Sequence, residues 1–212
     1  MSTLSSFEEF RAAFDGLNCE KTFSALERLI AATNLKFSPL ELFRATTLNL
    51  AGKISHIPPE IGCLTNLEVL LAGNNELTSL PEELGDLFNL KELHLNKNNL
   101  RSLPKNFDRL KNLRRLDLSG NLFVSFPRQI TLLHSLVALF LFDCASLNEI
   151  PCSILNLKAL EILSISGTDI PITAGTLILS PDRVFSDLPY TASIVNLKSL
   201  KHLYFAGRAF HF

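Results

Sequence analysis

The residues that could do chemistry in this chain are its cysteines, histidines and carboxylates. The four cysteines stand far apart, at 19, 63, 144 and 152, with no C-x-x-C or cysteine–histidine spacing of a metal site. They read as reduced thiols in a cytosolic setting. No Gly-rich phosphate loop, G-x-S-x-G or H-E-x-x-H occurs. One mixed polar group remains, formed by Glu92, His94, Lys97, Arg115 and Asp117. A histidine beside an aspartate can move protons, but nucleophilic catalysis also needs a hydroxyl within reach and an oxyanion pocket. The available hydroxyl, Ser119, shares a strand with Asp117. A metal would need three or four ligands where only two come near. The chain is therefore expected to hold no cofactor and no metal, and not to be an enzyme.

The elements that position these residues are set by a repeat. Leucine fills 43 of 212 positions, about a fifth of the chain. Segments starting at Leu67, Leu90 and Leu113 are each 23 residues long. Each reads L-x-x-L-x-[LA]-x-x-N-x-[LF]-x-x-[LF]-P-x-x-[LFI]-x-x-L-x-x, with asparagines 75, 98 and 121 and prolines 81, 104 and 127. The L-x-x-L-x-L stretch alternates with period two, which makes a short strand with one buried face. A strand that short needs stacked neighbours, so the units pair in parallel around one core. The asparagine turns the chain by bonding backbone groups of its own and the adjacent turn. The L-P step fixes an extended exit, and the leucines at spacing three suit a 3₁₀ return.

This pattern resembles the leucine-rich repeat family, and is similar both to its Ras-group members and to the repeat effectors of intracellular bacteria. The resemblance implies an α/β solenoid with a curved, parallel concave sheet, a short helical or 3₁₀ convex side and an N-terminal α-helical cap. The units are expected at 45–66, 67–89, 90–112, 113–135, 136–159 and 160–199, with an insertion at 171–190, and a partial unit at 200–212. Cys144 and Thr168 stand in the asparagine slot of two later units and can partly serve there.

Residues 1–44 read as helix. Ser6 with Glu9 makes a capping-box pattern, followed by an apolar face of Phe7, Phe10, Phe14 and Leu17. A second helix is expected over about 22–32, burying Phe23, Leu26, Leu29 and Ile30. A third starts at Ser38-Pro39, with proline at its first position. At the other end the chain finishes on a strand pattern with no polar capping unit. Three readings stay open there: the last turn caps itself, a partner or second copy pairs with the edge to give a homodimer, or the segment is mobile.

The non-leucine strand positions point out of the concave sheet and form the candidate partner surface. The central column is Asn49, Leu71, His94, Asp117, Phe140, Ser164 and Tyr204. The column on its N-side includes Val69, Glu92, Arg115, Ala138 and Ile162, and that on its C-side includes Asn96, Ser119 and Phe142. Phe140 and Phe142 beside Val137 and Ala138 suggest an interface, unless the insertion folds over them. The polar group above is the second feature, and His94 and Asp117 should be sheet neighbours.

Net charge is −1, which argues against nucleic acid as a partner, and no apolar run approaches the length of a membrane span. The first residues lack the basic and apolar regions of an ordinary signal peptide, so the chain reads as cytoplasmic. The reading that follows is a non-enzymatic module binding a protein partner on its concave face. The effector resemblance implies delivery into a host cell by a specialised secretion system. The alternatives are a resident cytosolic scaffold and, from another class, an enzyme using His94 and Asp117.

Overall fold

A computed structural model describes residues 3–13, 19–52, 54–168, 197–205 and 208–211. Three helices come first: α1 (Thr3–Ala13), α2 (Cys19–Thr33) and α3 (Pro39–Arg44). Seven short strands follow in parallel: β1 (Thr47–Asn49), β2 (Val69–Leu71), β3 (Glu92–His94), β4 (Arg115–Asp117), β5 (Ala138–Phe140), β6 (Ile162–Ser164) and β7 (His202–Phe205). An eighth, β8 (Arg208–His211), ends the sheet. The strand order is the chain order, with each unit's strand beside the next. Each strand from β1 to β5 is followed, across a turn, by a five-residue 3₁₀ helix that opens on or beside the L-P, I-P or F-P step: Pro59–Cys63, Glu82–Asp86, Lys105–Arg109, Arg128–Leu132 and Cys152–Asn156.

The leucines of the repeat make one continuous core running from the cap to Leu203. Most are wholly inaccessible, among them Leu70, Leu93, Leu116, Leu139 and Leu163 at the centre of successive strands. The asparagines stitch neighbouring units as the sequence predicts. Asn98 Oδ1 accepts the Leu77 amide at 3.0 Å, while its Nδ2 donates to the carbonyls of Ala72 and Leu95. Asn75 and Asn121 repeat the pattern, accepting from Ile54 and Leu100. In the later slots Cys144 Sγ donates to the Leu118 carbonyl at 3.4 Å and Thr168 Oγ1 to Ile165 at 2.8 Å, so each keeps a donor bond.

A second row was not anticipated. Asn66 donates to the Phe43 carbonyl of the cap helix α3, and Asn89 and Asn112 donate to the carbonyls of Thr65 and Phe88 in the preceding unit. Ser199 does the same to Lys158. These residues come just before the first leucine of each unit, so the stack is tied at two edges.

The residue ahead of the asparagine slot is left-handed in six successive units: Gly52, Asn74, Lys97, Gly120, Asp143 and Gly167, with φ from 54° to 69°. Glycine, asparagine and aspartate tolerate this conformation. Lys97 is the one of the six with a long side chain.

The cap differs from expectation in detail. Ser6 lies inside α1 rather than at its start, because the helix already begins at Thr3. Phe14 and Leu17 lie outside the described residues. α2 runs further than 22–32 at both ends, and buries Ala25 together with Phe23, Leu26 and Leu29, while Ile30 is half-buried. Phe10 is fully enclosed, its ring edge-on to Phe23 and Phe43 at 5.4 and 5.6 Å. Ser38 caps α3, accepting the Glu41 amide while the Glu41 carboxylate accepts the Ser38 amide at 2.8 Å. Those bonds hold the Glu41 carboxyl below its ordinary range.

At the far end β8 turns back antiparallel onto β7, pairing His202 with His211 and Leu203 with Phe210. Of the three readings, self-capping describes these residues. The insertion 171–190 and the final residue lie outside them.

Candidate functional site

Register brings the polar group together. Glu92 stands opposite Arg115 on the adjacent strand, and His94 opposite Asp117. Leu71 flanks His94 on one side, and Phe140 flanks Asp117 on the other. All four charged or ring-bearing members are half-buried, as expected for side chains lying along a concave sheet. Lys97 is exposed and sits in the turn above β3 rather than on the strand.

Among the described residues these groups do not form a hydrogen-bonded chain from hydroxyl to histidine to aspartate. His94 Nε2 lies 3.4 Å from Glu92 Oε2 on its own strand, and no hydrogen bond joins it to Asp117. Asp117 Oδ1 accepts the Ser119 amide at 3.0 Å, an Asx turn that ends the strand. Ser119 itself is expected to face outward, but it is 2% exposed and its Oγ has no partner. A hydroxyl without a base beside it is not an activated nucleophile. Among the described residues no group of three metal-ligating side chains occurs.

The aromatic half of the face is built differently. Phe140 is half-buried, with the Arg115 guanidinium 4.5 Å from its ring centre. Phe142 is 42% exposed and Tyr204 37%. Val137 is half-buried at the strand's lower edge, where its carbonyl accepts the amides of Glu161 and Ile162. Ala138, placed outward by the sequence, is almost fully covered. Its strand neighbours are Arg115 and Ile162, both longer, so the small side chain sits between them. Leu71 does point outward while Ala72 is wholly buried, as the broken rhythm at that site implies. Whether the insertion covers the phenylalanines is a question outside the described residues.

The concave face thus carries an apolar flank (Val69, Leu71), a polar centre and an aromatic flank (Phe140, Phe142, Tyr204) on one rigid sheet. That arrangement can hold a partner through aromatic anchors with charge pairs to fix register. Among the described residues no helix is long and apolar enough to cross a membrane.

Comparisons with known proteins agree with this architecture. Residues 65–123 and 88–145 match the model described as "Leucine rich repeat". No curated protein sequence matches the chain. A leucine-rich-repeat protein of Leptospira interrogans is similar at 35% identity over 73% of this chain and 41% of that one, with a TM-score of 0.58. An internalin of Listeria monocytogenes has the same fold at 23% identity and TM-score 0.63, over 85% of this chain and 49% of that one. The leucine-rich-repeat ectodomain of a plant membrane receptor kinase from Arabidopsis thaliana, solved in complex with Casparian strip integrity factor 2, is 28% identical. It aligns with 78% of this chain and 18% of its own, at TM-score 0.58. The chain therefore spans two fifths to a half of the two bacterial structures and under a fifth of the plant one.

Proposed function

The repeat-bearing part of the chain belongs to the leucine-rich repeat family, and from that premise we propose that it is a non-enzymatic module that holds a protein partner against its concave sheet. The carrying observation is the group of accessible aromatics, Phe140, Phe142 and Tyr204, on a sheet whose other positions are pinned by the core. Each ring buried on a partner contributes a few kcal/mol at most, so a cluster is needed to reach useful affinity. Leu71, Val137, Glu92, His94, Lys97, Arg115 and Asp117 complete the contact surface. The test is partner recovery from the native cell by wild type and by the double variant Phe140→Ala, Phe142→Ala. Recovery is expected to fall sharply; unchanged recovery of the same partner sinks the assignment.

A finer reading, an effector working inside a host cell, is supported by the bacterial neighbour at 35% identity and by the non-repeat helical start. It is tested by fusing residues 1–44 to a translocation reporter. Absence of delivery, with full-length fusions also retained, favours a resident scaffold instead.

A further inference from the structure

A cavity of about 350 Å³ lies away from the strands, between the unit at 90–112 and the unit at 113–135, with Glu149 of the unit at 136–159 at its edge. Its floor is apolar, made by the buried Leu103 and Phe126. Its walls carry two arginines, Arg101 and Arg128, and two exposed serines, Ser102 and Ser125. Gln129 completes the wall with its amide fixed, Nε2 donating to the carbonyls of Leu103 and Pro104.

The charges here are left uncompensated. Neither Arg101 nor Arg128 makes an ion pair among the described residues, and Glu149, the acidic member of the lining, lies beyond ion-pair reach of both. One junction earlier the chain supplies its own carboxylate: Glu82 accepts the amides of Lys105 and Asn106 at 3.1 and 2.9 Å. In the next unit the position of Glu82 is taken by Lys105, so that internal carboxylate is replaced by a cation. The backbone also departs at this unit. Pro127, which follows Phe126, has ψ 104°, where the four prolines of the L-P and I-P steps have 151–155°.

We propose that this cavity binds a small organic carboxylate bearing an apolar group. The carboxylate would lie between Arg101 and Arg128, whose planar donor forks suit it, with hydroxyl donors from Ser102 and Ser125. The apolar group would cover Leu103 and Phe126. Glu149 sets the charge limit, since a dianion meets its carboxylate while a monoanion is balanced by the arginines. The site shares no strand residue with the concave face, so its failure leaves the protein-binding reading untouched.

The probe is N-acetyl-leucine, titrated into the full chain and followed by amide chemical shifts. Saturable millimolar or tighter binding is expected, with shifts centred on Ser102, Ser125 and Gln129. Arg101→Gln with Arg128→Gln should weaken it by about tenfold or more while leaving the thermal melt unchanged. A peptide ending in a free leucine carboxylate binding more tightly than the free acid would assign the source as a polypeptide end; the reverse would assign a metabolite-sized acid. Both keep the proposal. It is overturned by no saturation, by equal binding of N-acetyl-leucine amide or of inorganic phosphate, or by binding that ignores both arginine substitutions.

Discussion

The guanidinium of Arg115 lies 4.5 Å from the ring centre of Phe140 on the neighbouring strand. The two are not opposite each other in register; Arg115 faces Ala138, and the side chain reaches diagonally over that small residue. A double-mutant cycle with Arg115→Ala and Phe140→Leu should give a coupling of about 0.5–1 kcal/mol in urea unfolding, as for a half-exposed cation over a ring. Zero coupling would mean the pair does not form in solution.

Lys97 holds φ 54° at a position filled elsewhere by glycine, asparagine or aspartate. An L-residue with a long side chain is disfavoured there by about 1–2 kcal/mol, partly offset in a glycine variant by unfolded-chain entropy. Lys97→Gly should therefore raise stability by roughly 0.5–1 kcal/mol while weakening partner binding. A lower unfolding midpoint would refute the strain argument.

Asn98 makes three buried bonds across two units, whereas the Cys144 thiol in the equivalent slot donates only a longer, weaker bond of 3.4 Å to Leu118. Asn98→Ala should cost about 2–4 kcal/mol, because the Leu77 amide and two carbonyls lose their partner. Cys144→Ala should cost about half as much or less. Equal losses would show that the slot works by volume rather than by hydrogen bonding.

Burial pushes the Cys144 thiol from 9.0 up to about 11. The folded state then keeps a proton that the unfolded chain releases, so stability is fully present below pH 9 and falls as pH rises toward 11. The loss should amount to about 2–3 kcal/mol across that window, and Cys144→Ala should remove it. Chemical unfolding at stepped alkaline pH measures the slope; identical slopes in both proteins would contradict the assignment.

A Cβ at Gly85 would collide with the backbone carbonyl of Asn106, and one at Gly62 would come within 2.9 Å of the Glu83 carbonyl. Both glycines occupy the same convex position in consecutive units. Gly85→Ala should cost about 1–3 kcal/mol as overpacking. A neutral result in a thermal melt would show that the units can part there freely.

The sequence made the scaffold readable because the repeat averages out local ambiguity. Three copies of one pattern determine strand, turn and return together, so the register of His94 against Asp117 followed from spacing alone. The same periodicity says nothing of partners that break it. Ser119 sits on an outward position by parity yet is buried, since outwardness by alternation is not exposure once larger neighbours lean over a small residue. The row of Asn66, Asn89 and Asn112 was visible as letters but carries a bond between carbonyls and amides that the repeat pattern does not name. The β8 hairpin was one of three open possibilities, because the direction of a last strand depends on a turn and not on hydrophobic rhythm.

The two rows of polar stitches have a mechanical consequence. Neighbouring units are fastened along both borders of the wedge, so bending about either border stretches bonds on the other. Load applied end to end is then shared unit by unit through the stretch from Asn66 to Asn121. Beyond it Cys144 keeps a 3.4 Å thiol bond to Leu118 of the preceding unit, while Thr168 bonds Ile165 of its own unit, so the inner seam thins there. Pulled from its ends, the solenoid should tear first there, leaving the asparagine-stitched units as one stiff blade.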